Sequence, residues 1–438
     1  MTFDPSFLAG AQSRLLPVSV PFRFFVAGAL FHLTSWILIA LNADAVINFT
    51  GGLGVGLAAI HAVTLGVLVM SAIGASLQLL PVATRRTAQA IWPTWIITVL
   101  VMGGVPVLVW GMAVHDVLVA LWGGAAVGVG LAVYAVLIGA NLFHAKGLKT
   151  VVAFCWAALV ALGTLVVLGL LLVLDFDLGV LNDHATLAGV HFVVAVFGFM
   201  GLLAFGFSFI LIPMFTLSRG MPTWRGSLTL GVSLLAIGLA CLGLVYAIKP
   251  VVYAAFASGL AASLLYLWTM LEMLKSGMRK RLGIPFTLIR LSWALLPLSL
   301  LVGVLALGGW IESRGWTLFG FMLLAGWLLT FLLGILLRIA PFLASMHSAV
   351  GEGRPARLSS LTPEWPQKIL AVCHPSALIL VGGGIVSGQM VPVQVGALIG
   401  ALGALAMLTY ILNVIRRLVA HRTLSRSSTD PSKTEASP

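Results

Sequence analysis

The sequence predicts an all-α, polytopic membrane protein of about twelve transmembrane helices arranged as three four-helix units, and three observations predict it. The chain is 61% hydrophobic and 8% charged, far from the composition of a water-soluble domain. Apolar stretches of about twenty residues, the length a helix needs to cross a bilayer, recur along nearly all of it. A Gly–Gly–Pro mark returns at every fourth stretch.

Taken in order, the spans are expected at 20–42, 52–81, 88–113, 117–143, 150–174, 184–215, 226–248, 250–274, 286–310, 316–345, 371–390 and 393–418. Residues 1–19 then form a short cytoplasmic segment and 20–418 the membrane domain. The stretch 419–438 ends in the Ser-rich "HRTLSRSSTDPSKTEASP" and reads as a disordered cytoplasmic tail. No short apolar stretch with a small-residue cleavage site precedes the first span, so a cleaved leader is not expected.

Twelve spans place the basic residues on one side. Arg14, Arg23, Arg85, Arg86, Lys146, Lys149, Arg219, Arg225, Lys275 to Arg281, Arg354 to Lys368 and Arg416 to Arg426 all fall there. Cationic residues near span ends stay cytoplasmic, which puts both termini on the cytoplasmic side of the membrane. The opposite loops carry Asp44, Asp116, Asp175, Asp177, Asp183 and Glu312 against Lys249 and Arg314. The net charge of +12 is thus spread over seven segments, the pattern of membrane orientation, and not gathered into a nucleic-acid patch. Cys155, Cys241 and Cys373 have no paired spacing and read as small buried hydrophobes. Trp36, Trp92, Trp95, Trp110, Trp310, Trp316 and Trp365 cluster at span ends, where an interfacial aromatic belt accounts for them.

The repeat is G-x7-G-x6-P. Gly66, Gly74 and Pro81 lie in the second span, Gly198, Gly206 and Pro213 in the sixth, and Gly326, Gly334 and Pro341 in the tenth. Glycines two turns apart leave one helix face open to a neighbouring backbone or a flat cofactor, and the proline is expected to end the helix at the membrane edge. Arg338, just before Pro341, is expected to reach the headgroups.

Twelve spans in three four-helix units, with a histidine early in the second, resemble subunit I of the haem-copper oxidases. The phrases "HAVTLGVLVMSAIGASLQLLP" and "HFVVAVFGFMGLLAFGFSFILIPMF" are closer still to oxidase-related membrane proteins such as the NnrS family, which carries haem and copper and is linked to nitric oxide stress. That resemblance implies a b-type haem, with copper as a second metal, and it gives His61 the role of axial ligand. The tenth span, "WTLFGFMLLAGWLLTFLLGILLRIAP", has no histidine and neither has the seventh, so the oxygen-reducing binuclear centre of the oxidases is not encoded.

Topology sorts the nine histidines. His144, His347, His374 and His421 fall at cytoplasmic ends or in the tail, and His115 in an outer loop. His32, His61 and His191 lie inside the first, second and sixth spans at a common depth of roughly 10–15 Å from the outer side. An imidazole within hydrocarbon is by default a functional residue and a ready ligand for iron, copper or zinc. These three are therefore the candidate cofactor- and metal-binding residues. His184, at the membrane edge beside Asp183, and Met322, a thioether at comparable depth, are weaker candidates. A haem- or copper-binding protein for nitric oxide or copper handling, sensing or electron transfer is the first reading. Its partners would be the bilayer and a periplasmic cytochrome or respiratory subunits. A transporter using the histidines for protons or metal, and an assembly partner of a respiratory complex, are the other two; transporters more often repeat as two six-span halves.

Overall fold

A computed structural model describes residues 14–85, 91–145, 147–311, 314–349 and 355–428, with backbone alone at 426–428. Arg86, Lys146, Glu312, Arg354 and residues 429–438 of the expected tail lie outside the described residues. Twelve helices are long and apolar enough to cross a membrane: α1 (Ser19–Leu41), α2 (Val55–Ala83), α3 (Pro93–Ala113), α4 (Val117–Phe143), α5 (Lys149–Leu178), α6 (His184–Thr216), α7 (Thr223–Val245), α8 (Lys249–Ser276), α9 (Ile284–Leu307), α10 (Arg314–Met346), α11 (Glu364–Ser387) and α12 (Met390–Ser428). Short helices Ala43–Ile47 and Leu358–Leu361 lie in the connections, and the described residues contain no strand. The chain is a multi-pass membrane protein of all-α class.

The pattern of neighbours repeats every four helices. α1 packs on α2, α5 on α6 and α9 on α10; α3 pairs with α4, α7 with α8 and α11 with α12. The units join where α4 meets α5, α8 meets α9 and α12 closes the ring on α1. Helices α2, α6 and α10 are innermost, with 61, 67 and 78% of their apolar windows buried, more than any other span.

Lipid tails are as apolar as leucine, so helices in a bilayer associate through close packing and internal hydrogen bonds. The paired glycines provide the packing. A Cβ on Gly74 would stand 2.9 Å from the Pro21 carbonyl oxygen of α1, one on Gly206 2.8 Å from Phe154 Cβ of α5, and one on Gly334 2.7 Å from the Pro285 carbonyl oxygen of α9. The repeated glycines thus seat each inner helix on the first helix of its own unit.

Hydrogen bonds repeat as well. Ser76 of α2 and Tyr134 of α4 share a buried bond of 2.8 Å, and Ser208 of α6 and Tyr266 of α8 share another of 2.8 Å. In the third unit Leu336 occupies the serine position, and Tyr410 of α12 donates instead to the Leu337 carbonyl at 2.7 Å.

Each inner helix also widens into an eight-residue π-helical stretch: Ala62–Val69, Val194–Gly201 and Met322–Leu329. Gly66, Gly198 and Gly326 are the fifth residue of their stretches. Such widened turns are uncommon and gather at functional sites.

Several expectations need correction. The prolines do not end their helices, which run on to Ala83, Thr216 and Met346. The last helix continues to Ser428, so the first part of the expected tail is ordered helix. Arg338 is half-buried, hydrogen-bonded to the Leu282 carbonyl and 5.9 Å from the Phe286 ring centroid, tied to α9 and its approach instead of the headgroups. Trp36 is buried within the bundle and does not join the interfacial belt. All three cysteines are free thiols; Cys155 and Cys373 are buried as expected, whereas Cys241 is only half-buried.

Candidate metal centre

His61 closes the α-helical start of α2 immediately before its π stretch, and His191 stands three residues before the π stretch of α6. Their rings face one another with centroids 6.5 Å apart and planes 31° from parallel. The offset of His191 from the threefold register explains how they meet. Aligned on the prolines, His191 comes two residues earlier than His61, about half a helical turn. Residues in strict register would point to equivalent, separate places in the ring of helices. Half a turn of rotation brings the α6 imidazole back towards α2.

His61 Nδ1 donates to the Leu57 carbonyl at 3.0 Å. A neutral imidazole has one N–H and one lone pair, so this bond leaves the lone pair on Nε2. That is how proteins fix a metal-ligating histidine: one nitrogen held by a backbone carbonyl, the other free to coordinate. His191 Nδ1 is buried with no hydrogen-bond partner, and the ring lies over Gly169 of α5, where a Cβ would come within 3.2 Å of its Cε1. Both rings open on a cavity of about 110 Å³ that Met112, Gly128, Gly169 and Met200 also line.

Spacing and donor set fit a metal between the rings. Two metal–nitrogen bonds of about 2 Å plus the two ring radii set imidazole centroids roughly 6 Å apart. No group of three or more His, Cys, Asp and Glu that could hold a metal ion stands together among the described residues. A pair of imidazoles is a donor set that would suit a haem iron, or a cuprous ion assisted by a thioether. The cavity admits a bare ion as it stands, whereas small-molecule sites usually measure about 300–1,000 Å³. A haem would require aliphatic walls such as Leu108, Leu131 and Leu170 to turn aside, while Gly124, Gly128 and Gly169 present no side chains to move.

The third expected ligand is elsewhere. His32 lies against His374 of α11, ring centroids 6.4 Å apart and planes 67° from parallel, and both are fully buried. His374 was expected at a cytoplasmic end because the eleventh span was expected to start at 371. The helix begins at Glu364, through the polar "EWPQK", which carries His374 into the bundle. The three deep histidines therefore divide between two pairs. His184 Nδ1 donates to the Asp175 carboxylate at 2.8 Å, beyond its expected neighbour Asp183, and the ring packs on Phe176 at 4.6 Å between ring centroids. Met322 opens the third π stretch and lines neither cavity. His347, expected near headgroups, is buried with its ring nitrogens 2.8 Å from the Leu343 carbonyl and 2.9 Å from that of Leu16.

A second, larger chamber of about 870 Å³ lies between α1, α2, α6, α7, α8, α9 and α10. Its walls are apolar and aromatic, including Phe192, Phe197, Phe205, Phe256 and Trp327. No histidine lines it, although Ile60 and Phe192, each next in sequence to a histidine of the facing pair, do. Sequence reasoning missed the chamber, because long-range closure of the ring creates it.

No protein-family model matches the chain, and no curated protein matches it.

Proposed function

We propose that this chain is a haem- or copper-binding protein of the bacterial inner membrane, with both termini cytoplasmic, and that His61 and His191 are its metal ligands. The observation that carries the reading is the facing imidazole pair 6.5 Å apart, with the His61 lone pair directed by the Leu57 carbonyl. The two-imidazole donor set favours b-type haem. The smallness of the cavity and the thioethers of Met112 and Met200 in its wall favour cuprous copper as the second reading. Function follows from what is held there: binding or sensing a diatomic ligand such as nitric oxide, copper handling, or one-electron transfer. The large apolar chamber beside the pair would let an uncharged gas collect from the bilayer. A periplasmic cytochrome is the partner that the acidic outer loops suit.

Optical spectra and metal analysis of the purified protein test this. Haem gives sharp α and Soret bands on reduction with dithionite, lost in His61→Ala and His191→Ala and retained in His32→Ala. Copper gives a colourless cuprous protein with stoichiometric metal that the same two variants lose. A preparation that binds neither haem nor added cuprous ion overturns the reading.

A further inference from the structure

The second histidine pair is wired in the opposite sense. Trp36 donates its indole N–H to His32 Nε2 at 3.0 Å. An indole nitrogen can only donate, so this bond takes up the lone pair of His32 and leaves the ring hydrogen on Nδ1. His32 Nδ1 is buried with no acceptor. On the other ring, His374 Nε2 lies 2.7 Å from Thr330 Oγ1, and that hydroxyl donates its single hydrogen to the Ala325 carbonyl at 2.9 Å. Thr330 must then accept from His374 Nε2–H, so the lone pair of His374 is on Nδ1. That atom too is buried without a partner.

An unmet donor and an unmet acceptor therefore belong to two fully buried neighbouring rings. A direct N–H···N bond of about 2.9 Å would bring the centroids to roughly 5 Å. The observed 6.4 Å is too long for that, and is close to the separation expected if one water stood about 2.8 Å from each nitrogen. Orphaned polar atoms inside a protein cost enough that buried water commonly satisfies them. A metal ion needs a lone pair from each ring, and His32 has none to give while Trp36 holds it.

We infer that His32 and His374 form a separate, metal-free site that binds one water molecule, accepting from His32 Nδ1–H and donating to His374 Nδ1. The site ties α1, α10 and α11 together through the chain Trp36, His32, water, His374, Thr330 and the Ala325 carbonyl. Trp36 and Ala325, its two ends, both lie in the wall of the large chamber. This inference is independent of what His61 and His191 bind.

The test is nitrogen NMR of the full chain, labelled at histidine with ¹⁵N and reconstituted in lipid bilayers, with His32→Gln and His374→Gln assigning the signals. Opposite tautomers are expected, Nδ1–H on His32 and Nε2–H on His374, together with cross-peaks from both Nδ1 sites to a long-lived water. Trp36→Phe should release the His32 tautomer while leaving that of His374 unchanged. The same tautomer on both rings, absence of the water cross-peaks, or metal-shifted signals at His32 would overturn the inference. So would loss of bound metal in His32→Gln when circular dichroism and gel filtration match the wild type.

Discussion

Tyr266 and Ser208 share a buried hydrogen bond of 2.8 Å, and the Tyr266 hydroxyl also accepts from Trp293 Nε1 at 3.1 Å. It therefore joins α6, α8 and α9, whereas the equivalent Tyr134–Ser76 bond joins only α2 and α4. Tyr266→Phe should leave the Trp293 N–H without an acceptor and remove the tyrosine from Ser208, which keeps its 2.7 Å bond to the Ala204 carbonyl; Tyr134→Phe removes only the tyrosine from Ser76, which keeps its 2.6 Å bond to the Ala72 carbonyl. Thermal unfolding in detergent is expected to show a loss of about 1–3 kcal/mol for Tyr266→Phe and a smaller loss for Tyr134→Phe. Equal losses would mean that the Trp293 bond contributes nothing.

The two glycines of the third repeat differ in what surrounds them. A Cβ on Gly334 meets the Pro285 carbonyl at 2.7 Å and the Ile289 amide at 3.1 Å, both backbone atoms that cannot turn aside. One on Gly326 meets nothing closer than Leu295 Cδ1 at 3.4 Å, ordinary contact with a flexible side chain. Gly334→Ala should therefore push α10 off α9 and destabilise the protein by about 1–3 kcal/mol. Gly326→Ala should be nearly neutral. Thermal melts of the two variants side by side check the contrast, and the reverse order would contradict the packing role of the second glycine.

The class and the helix count were legible because both depend on local sequence: length of apolar runs, and basic residues at alternate ends. The threefold order was legible through the glycines and prolines, of which the second glycine packs closely on the preceding helix in every unit. The His61–His191 pair was half legible. Depth along a helix can be counted, but direction around it depends on the π stretches, which no propensity in "AVTLGVLV" or "VAVFGFMG" announces. His374 was missed because its first helical turns are polar and carry two charges, so a hydropathy reading starts the span too late. The Ser–Tyr bonds left a usable signal, the spacing of 58 residues that occurs at both 76–134 and 208–266.

Gly169 packs against His191 in the wall of the cavity that His61 also lines. Its missing side chain lets the imidazole lie against α5, and an added Cβ would stand 3.2 Å from Cε1 and 3.8 Å from Nδ1. Gly169→Ala is expected to tilt the ring away from His61 without breaking either helix, since alanine is the better helix former. On the proposed reading of the site, metal or haem occupancy should fall several-fold while the melting temperature stays near that of the wild type. Unchanged occupancy would show that the ring's seat on α5 does not set the ligand geometry.

The outer start of α6 gives a prediction for pH. Asp183 caps that helix: its carboxylate accepts from the Thr186 hydroxyl at 2.6 Å and the Thr186 amide at 3.0 Å. These bonds, that from the hydroxyl foremost, hold its pKa below the usual carboxylate range. A carboxylate with a lowered pKa in the folded protein contributes stability that is fully present above the ordinary value and is lost as pH falls through the lowered one. The first turn of α6, which carries His184 and leads to His191, should therefore fray on acidification. Amide exchange at Thr186, corrected for its intrinsic dependence on pH, should accelerate below the normal carboxylate range. In Asp183→Ala the same amide should exchange quickly at every pH. An amide as well protected in acid as at neutrality would show that packing, not the cap, holds the end of the helix.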